Sequence, residues 1–441
     1  MGMALPMMLA QFVHLLYNIV DRFYIGLMPE DSFTALTALG VCLPAITIVL
    51  AFANLFGMGG GPLCSIERGR NNLEEAERIM NNSFVLLVGS GLLLMIIGLI
   101  IKRPMLYAFG ASDITYPFAD QYLTIYLTGN VFVTISLGMN HFINSQGFSR
   151  IGMMTVVLGA VSNIILDPIF IFTLNMGVRG AALATVISQF FSAFWVVRFL
   201  TSRKAILHLR LPAMSLEKVR VRKIVALGTS GFVMQFTNFL VQVVYNASLQ
   251  RFGGDLYVGI MTVINSVREI VTLPVSGLSN GAQPVIGYNF GAGRYDRVKQ
   301  AIRYTVIAGM VFTTTVWLLL LLFPGFFIRI FNRDPAVVAA GIPMLRIYFA
   351  AFLTMSLQFG GQTTFVALGQ ARYAIFFSLF RKVILVIPLA LILPRVAGLD
   401  WIGIFLSEPI SDVVGGSASF LTMLYVVRRL LREEAVSQTC P

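Results

Sequence analysis

The stretch Thr201–Lys223, TSRKAILHLRLPAMSLEKVRVRK, is the longest polar interruption in an otherwise apolar chain of 441 residues, and it decides how the rest is read. Together with Arg198 it carries eight Lys and Arg. Outward from it the chain is 57% apolar and 12% charged, with a mean hydropathy of +0.81, whereas a soluble domain carries about a quarter charged residues. A water-soluble fold, a disordered chain and collagen are thereby excluded. Cys42, Cys64 and Cys440 have no disulfide, metal or redox spacing. A net charge of +12 in a soluble protein points to nucleic acid. In a chain this apolar it marks cytoplasmic loops, and no nucleic-acid partner is expected.

Apolar segments of about 20 residues, the length that crosses a bilayer as a helix, lie at 5–26, 34–57, 80–101, 121–142, 151–174, 178–200, 224–250, 256–278, 300–323, 343–367, 373–393 and 399–427. Six precede the polar stretch and six follow it. The expected class is an all-α membrane protein with twelve transmembrane helices: a first lobe over 1–200, a basic linker over 201–223, a second lobe over 224–427 and a tail over 428–441. The first segment is not a cleaved signal, because it lacks a basic lead and carries Asp21. With the N-terminus inside, inner loops and flanks hold 22 Lys and Arg, counting Arg381 and Lys382, and outer ones hold 7. Both termini are therefore expected in the cytoplasm.

Sliding the chain on itself by 222 residues brings Gly59, Pro62 and Gly69 onto Gly281, Pro284 and Gly291, and Gly138, Gly147 and Arg150 onto Gly360, Gly369 and Arg372. Six spans per copy make this a parallel repeat, with two pseudo-symmetric lobes expected around a central cavity. The deep polar residues of the first lobe break the repeat: Asp21 falls on Val243, Asn163 on Leu385 and Asp167 on Leu389. An ionisable group at membrane depth costs several kcal/mol unless paired or wet, and so marks an ion or substrate path.

In the first span His14, Tyr17, Asn18 and Asp21 share one helical face. In the fifth, Asn163 and Asp167 are one turn apart, followed by Pro168, which removes a backbone donor. Two carboxylates, an amide and loosened backbone suit a small cation or a proton. Tyr17, Tyr24, Tyr122, Tyr126 and the 20 Met residues supply faces for apolar cations, beside their ordinary packing role. Arg268 and Glu269 lie mid-span in the eighth segment, where an ion pair to another helix and a second cation contact are both open readings. Glu408 and Asp412, on one face of the last span, read as interhelical hydrogen-bonding groups.

The glycine runs at Gly57–Pro62 and Phe290–Arg294 lack the strand and the Gly-Lys-Ser/Thr ending of a phosphate loop, so no ATP is expected. Ser215-Leu-Glu-Lys218 is read as a helix cap rather than a nucleophile motif.

Leu16-Tyr-Asn-Ile-Val-Asp21, Asn163-Ile-Ile-Leu-Asp-Pro168, Gly177-Val-Arg-Gly-Ala-Ala-Leu-Ala-Thr185 and Gly281-Ala-Gln-Pro-Val-Ile-Gly-Tyr-Asn-Phe-Gly-Ala292 occur in an order and spacing that resembles the multidrug and toxic compound extrusion (MATE) transporters, closest to the MepA-like bacterial efflux pumps. The resemblance covers nearly the whole chain. It implies a secondary transporter, not an enzyme: a bacterial inner-membrane antiporter, expected as a monomer without a cofactor, that exports amphipathic, often cationic compounds as H⁺ or Na⁺ enters. It further implies a coupling cluster at Asp21, Asn163, Asp167 and Thr185, which would also be the ligands if the ion is Na⁺. The implied substrate cavity is at Tyr17, Asn18, Asn140 and Tyr122, with Glu269 standing in for a seventh-span acid that this chain lacks. Only five residues precede Pro6, fewer than such pumps usually carry. The alternatives are a flippase of a lipid-linked precursor, disfavoured by sparse in-span Arg, and a membrane-embedded transferase, disfavoured by three His and no Asp-rich pair.

Overall fold

The computed structural model describes residues 2–26, 32–331, 334–396 and 398–439. Among them it contains helices and connecting turns and no strand. In chain order the first helices are α1 (Ala4–Gly26), α2 (Ser32–Gly69), α3 (Leu73–Ala108), α4 (Tyr116–Thr128), α5 (Asn130–Ser145), α6 (Ser149–Pro168), α7 (Val178–Leu200) and α8 (Lys218–Phe252). They continue with α9 (Gly254–Gly291), α10 (Tyr295–Leu322), α11 (Pro324–Phe331), α12 (Pro335–Tyr348), α13 (Met355–Ala367), α14 (Ala371–Leu379), α15 (Ile387–Ile392) and α16 (Asp400–Thr439).

Nine of the described helices are long and apolar enough to cross a bilayer, and the bent pairs α4/α5 (54°) and α12/α13 (44°) bring the number to eleven. The remaining predicted span is α1, whose described apolar stretch is the shorter Ala4–Tyr17. Each of the twelve expected segments thus falls on a helix, a bent pair or, at 373–393, a helical run through α14 and α15. The short α11 was not anticipated.

The chain divides into two compact units, Met1–Gly228 and Thr229–Pro441. The first has two apolar clusters, one around Ile25, Leu106, Leu123 and Ala182 and one around Met80, Leu87, Phe142 and Val196. The second is built around Tyr245, Ile264, Leu345 and Phe405.

The internal repeat is written into the backbone. Gly147 and its counterpart Gly369 have φ of 92° and 71°, and Asn71 and its counterpart Gly293 have φ of 62° and 67°. These left-handed turns favour glycine or asparagine because Cβ otherwise meets the following carbonyl. The glycine run that imitates a phosphate loop lies inside α2, where it permits close helix crossings. A Cβ on Gly57 would stand 2.9 Å from the Cα of Gly138 in α5, and a Cβ on Gly59 would stand 2.1 Å from the Ile224 carbonyl oxygen in α8. Small residues that let backbones approach are the usual device where no water drives helices together.

The basic linker is a strap bound to the first unit. Asn81 donates to the His208 carbonyl (3.0 Å) and accepts from the Arg210 amide (2.9 Å), while Asn82 donates to the Ser215 carbonyl (2.9 Å). Gln146 accepts from the amides of Ile206 (2.8 Å) and Leu207 (2.9 Å). Arg220 grips Glu75 through two bonds of 2.9 and 2.8 Å. Ser215 does not N-cap α8, which begins at Lys218; it follows a short 3-10 turn over Leu211–Met214, and its carbonyl accepts from Asn82.

Candidate functional site

Three helices of the first unit bring the predicted coupling residues together. On α6, Asn163 and Asp167 lie one turn apart and are 1% and 0% exposed. The Asn163 amide donates to Asp167 Oδ1 at 3.2 Å and to Thr185 Oγ1 of α7 at 3.5 Å. From α1, the Asp21 carboxyl faces that of Asp167, and the Tyr17 hydroxyl faces the Thr185 side chain. Asp21, Asn163, Asp167, Thr185 and Tyr17 therefore form one connected polar nest. A carboxylate offers only acceptors, so two carboxyl groups in contact need a shared proton or a cation between them.

The nest has spare capacity. Asn163 Oδ1 and Asp167 Oδ2 accept no bond from an amide or alcohol donor among the described residues, although both are shut away from solvent. Buried oxygens of this kind are normally satisfied. Together with the Thr185 hydroxyl they make an oxygen set that suits a proton or a hard monovalent ion. No group of three or more His, Cys, Asp or Glu suited to a metal occurs among the described residues.

Tyr122, buried at 4% exposure, stacks on Tyr126 with ring centroids 6.2 Å apart, and its phenol lies within electrostatic reach of the Asp21 carboxyl. The His14 ring stands 5.9 Å from that of Tyr17. Directly after Pro168 the helix widens into a π turn over Ile169–Thr173, closed by the bond from the Leu174 amide to the Ile169 carbonyl at 2.9 Å. The proline cannot donate to the preceding turn, and the wider turn takes up the mismatch.

Two predicted residues are elsewhere. Asn140 donates to the Gly152 carbonyl at 3.2 Å. That is eleven residues from Asn163 along α6, or about 16 Å. Glu269 is exposed and belongs to no buried cluster. The side chains of Asn18 and Arg22 lie outside the described residues.

The second unit holds a polar centre that joins residues from three separate stretches of the sequence. Arg381 and Lys382, which the loop charge count places on an inner flank, are both buried inside the eleventh span at 5% exposure. The inner total is therefore 20 against 7. Glu408 Oε1 receives Arg268 at 2.6 Å, Lys382 at 3.1 Å and Arg381 at 3.2 Å. Arg381 also pairs with Asp412, Tyr245 donates to Glu408 at 2.9 Å, and Arg268 donates to the Tyr348 hydroxyl at 2.6 Å. Glu408 and Asp412 are thus members of an ion network and not merely hydrogen-bonding groups. Arg268 takes the ion-pair reading, while its neighbour Glu269 stays out.

Adjacent Arg381 and Lys382 reach one carboxylate because they sit in a second π turn, Phe380–Val386, whose angular step is smaller than an α-helix's. The span drawn over 373–393 already enclosed them. Two acids one turn apart in the last span were the signal that buried cations had to face them. In-span basic residues are consequently less sparse than expected, but Arg268, Arg381 and Lys382 are all engaged by carboxylates.

Comparison with known proteins agrees with this architecture. The chain is 26% identical to the multidrug export protein MepA of Staphylococcus haemolyticus over 97% of its own length and 92% of that protein. It is likewise 26% identical to MepA of Staphylococcus saprophyticus, over 99% and 95%. Among solved structures, an outward-facing MATE family multidrug resistance transporter of the MOP superfamily superposes with a TM-score of 0.91 at 21% identity, covering 98% of this chain and 96% of that one. A MATE structure in the bent conformation gives 0.92 at 22%, with the same coverage. The MatE family model matches residues 6–169 and 231–392. Two matched blocks, one in each unit and together spanning most of the sequence, show that the chain belongs to the MatE family of multi-span membrane transporters.

Proposed function

We propose that this protein is a cation-coupled antiporter that exports amphipathic, often cationic compounds, with Asp21 and Asp167 as the coupling pair. The observation that carries the reading is the contact between the two carboxyl groups, from α1 and α6, inside a nest with unused oxygens at Asn163 and Asp167. A proton or Na⁺ held there lets the two helices stay together. Once it leaves, two like charges face each other in a medium of low dielectric, and α1 is driven off α6. A cationic substrate answers the same negative charge, so loading by the ion and by the substrate exclude one another, which is the requirement for exchange. Tyr17, Tyr122 and Tyr126 offer ring faces beside the acids.

The relatives' role as multidrug exporters supports this substrate class. The basic excess of inner over outer loops supports an inner-membrane protein with both termini in the cytoplasm, and a monomer suffices for the exchange. One charge crossing a potential of roughly 150 mV supplies about 3.5 kcal/mol, enough to hold a neutral solute at about a 300-fold gradient. A monovalent cation exchanged one for one cancels that electrical term and must be driven by the chemical gradient or by a second ion.

The test is dye efflux from proteoliposomes with pH and Na⁺ gradients imposed separately. One gradient alone drives uphill efflux in the wild type. Asp167→Asn and Asp21→Asn, at equal reconstitution, lower the coupled rate at least tenfold while passive leak is unchanged. Wild-type efflux in either variant removes that residue from the mechanism.

A further inference from the structure

In the second unit α10 and α16 flank an open groove of 1050 Å³, just above the range of about 300–1,000 Å³ seen for drug-sized ligands. Its wall is apolar, with Ile302, Val306, Met423 and Val427, and its mouth carries Arg294, Arg297, Lys299, Arg303 and Arg428 against the single carboxylate of Asp296. Asp296 is taken up by Lys299 at 3.6 Å, and the four arginines form no ion pair among the described residues. Along α10 the lining runs from Tyr295 to Ile307, about 18 Å at 1.5 Å per residue. That is the distance from the headgroup layer well into the hydrocarbon.

The repeat indicates what such a groove takes. Under the 222-residue shift α10 and α16 correspond to α3 and α7, whose first residues Leu73 and Val178 fall on Tyr295 and Asp400. The counterparts of Asp296, Arg297 and Lys299 are Glu74, Glu75 and Glu77, so the rim of the first unit is acidic where that of the second is basic. In the first unit the chain turns back after α7. Buried Leu207 and partly buried Leu209 then join the apolar cluster, while Arg220 and Arg210 pair with Glu75 (2.8 Å) and Glu77 (3.1 Å). In the second unit α16 runs straight on as helix to Thr439 instead. The acidic rim is closed by an apolar segment bearing cations. The basic rim calls for an apolar body bearing an anion.

We infer that this groove binds an anionic phospholipid, with its phosphate at Arg294, Arg297, Arg303 and Arg428 and an acyl chain along Ile302, Val306 and Met423. A soluble anion would leave the apolar wall uncovered. A zwitterionic lipid would return a positive charge to a mouth already rich in them. The site shares no residue with the Asp21/Asp167 nest and does not depend on the transport reading.

Native mass spectrometry of the full chain, offered phosphatidylglycerol and phosphatidylcholine at equal concentration, tests the assignment. The wild type retains one phosphatidylglycerol with at least a tenfold preference. R297E/R303E weakens that retention at least tenfold, and the milder pair R294Q/R428Q lowers it without changing the lipid-free unfolding temperature. R103E, which reverses an exposed arginine of the first unit, leaves it alone. Equal retention of the two lipids overturns the inference, as does undiminished phosphatidylglycerol in both groove variants. A two-chain species that R297E/R303E dissociates, with no bound lipid, would give the groove to a second copy and overturn it as well.

Discussion

Replacing Glu408 by Gln tests whether the second unit's core is held by charge balance. In the wild type three cations, Arg268, Arg381 and Lys382, share two carboxylates, and Glu408 Oε1 touches all three at 2.6, 3.2 and 3.1 Å. Glutamine keeps the shape and the bond from Tyr245 but leaves three positive charges to Asp412 alone. Breaking a buried pair by removing one partner costs about 3–5 kcal/mol, and an unpaired Lys or Arg at the centre of a membrane helix costs about 2.5–3.5 kcal/mol on insertion scales. A loss near the middle of the first range is expected after relaxation, equivalent to roughly 10 °C in melting temperature for a unit of this size. The assay is thermal unfolding of detergent-solubilised protein followed by size exclusion. Adding Lys382→Met removes one stranded cation and substitutes an apolar chain of similar length, so K382M/E408Q recovers a substantial part of the loss. Wild-type melting of E408Q refutes the reasoning, as does a double variant no better than E408Q, since either result means that the surrounding polar groups carry the charge without Glu408.

Other positions give independent tests. A Cβ on Gly228 would stand 1.7 Å from the Leu55 carbonyl oxygen; G228A therefore costs about 1–3 kcal/mol by overpacking, and G228V abolishes the monodisperse peak, both read by fluorescence-detected size exclusion. Gly147→Ala and Gly369→Ala, at φ of 92° and 71°, each cost about 1–2 kcal/mol in thermal unfolding, and the repeat predicts nearly equal losses. Arg220→Ala removes a two-bond charged grip on Glu75 worth about 1.5–3 kcal/mol; trypsin cleavage within residues 203–210 accelerates about tenfold.

The spans were legible because bilayer thickness sets a minimum apolar length for a crossing helix, and a run of apolar residues of that length reports itself. The Asp21/Asp167 nest was legible for a related reason: carboxylates at such depth are costly enough to stand out singly. What remained hidden depended on which helices meet. Arg381 and Lys382 resemble any basic pair beside a membrane until α16 presents Glu408 to them through a π turn. Asn81, Asn82 and Gln146 look like ordinary helix-end polars, and only the return of the strap shows why amides stand there. Asn140 shows the converse, since a polar residue in the expected span turned out to tie α5 to the start of α6.

Every anchor of that strap, from Glu75 through Gln146, precedes it in the sequence. A nascent chain emerging from the ribosome therefore already possesses all the groups needed to latch residues 206–220 by the time they are translated. The first half is able to seal its own charged face before the second half is threaded into the bilayer, which fits the tendency of N-terminal domains to fold first during synthesis. Translation order and latching order coincide, so the duplicated halves need not compete for one another's helices at birth.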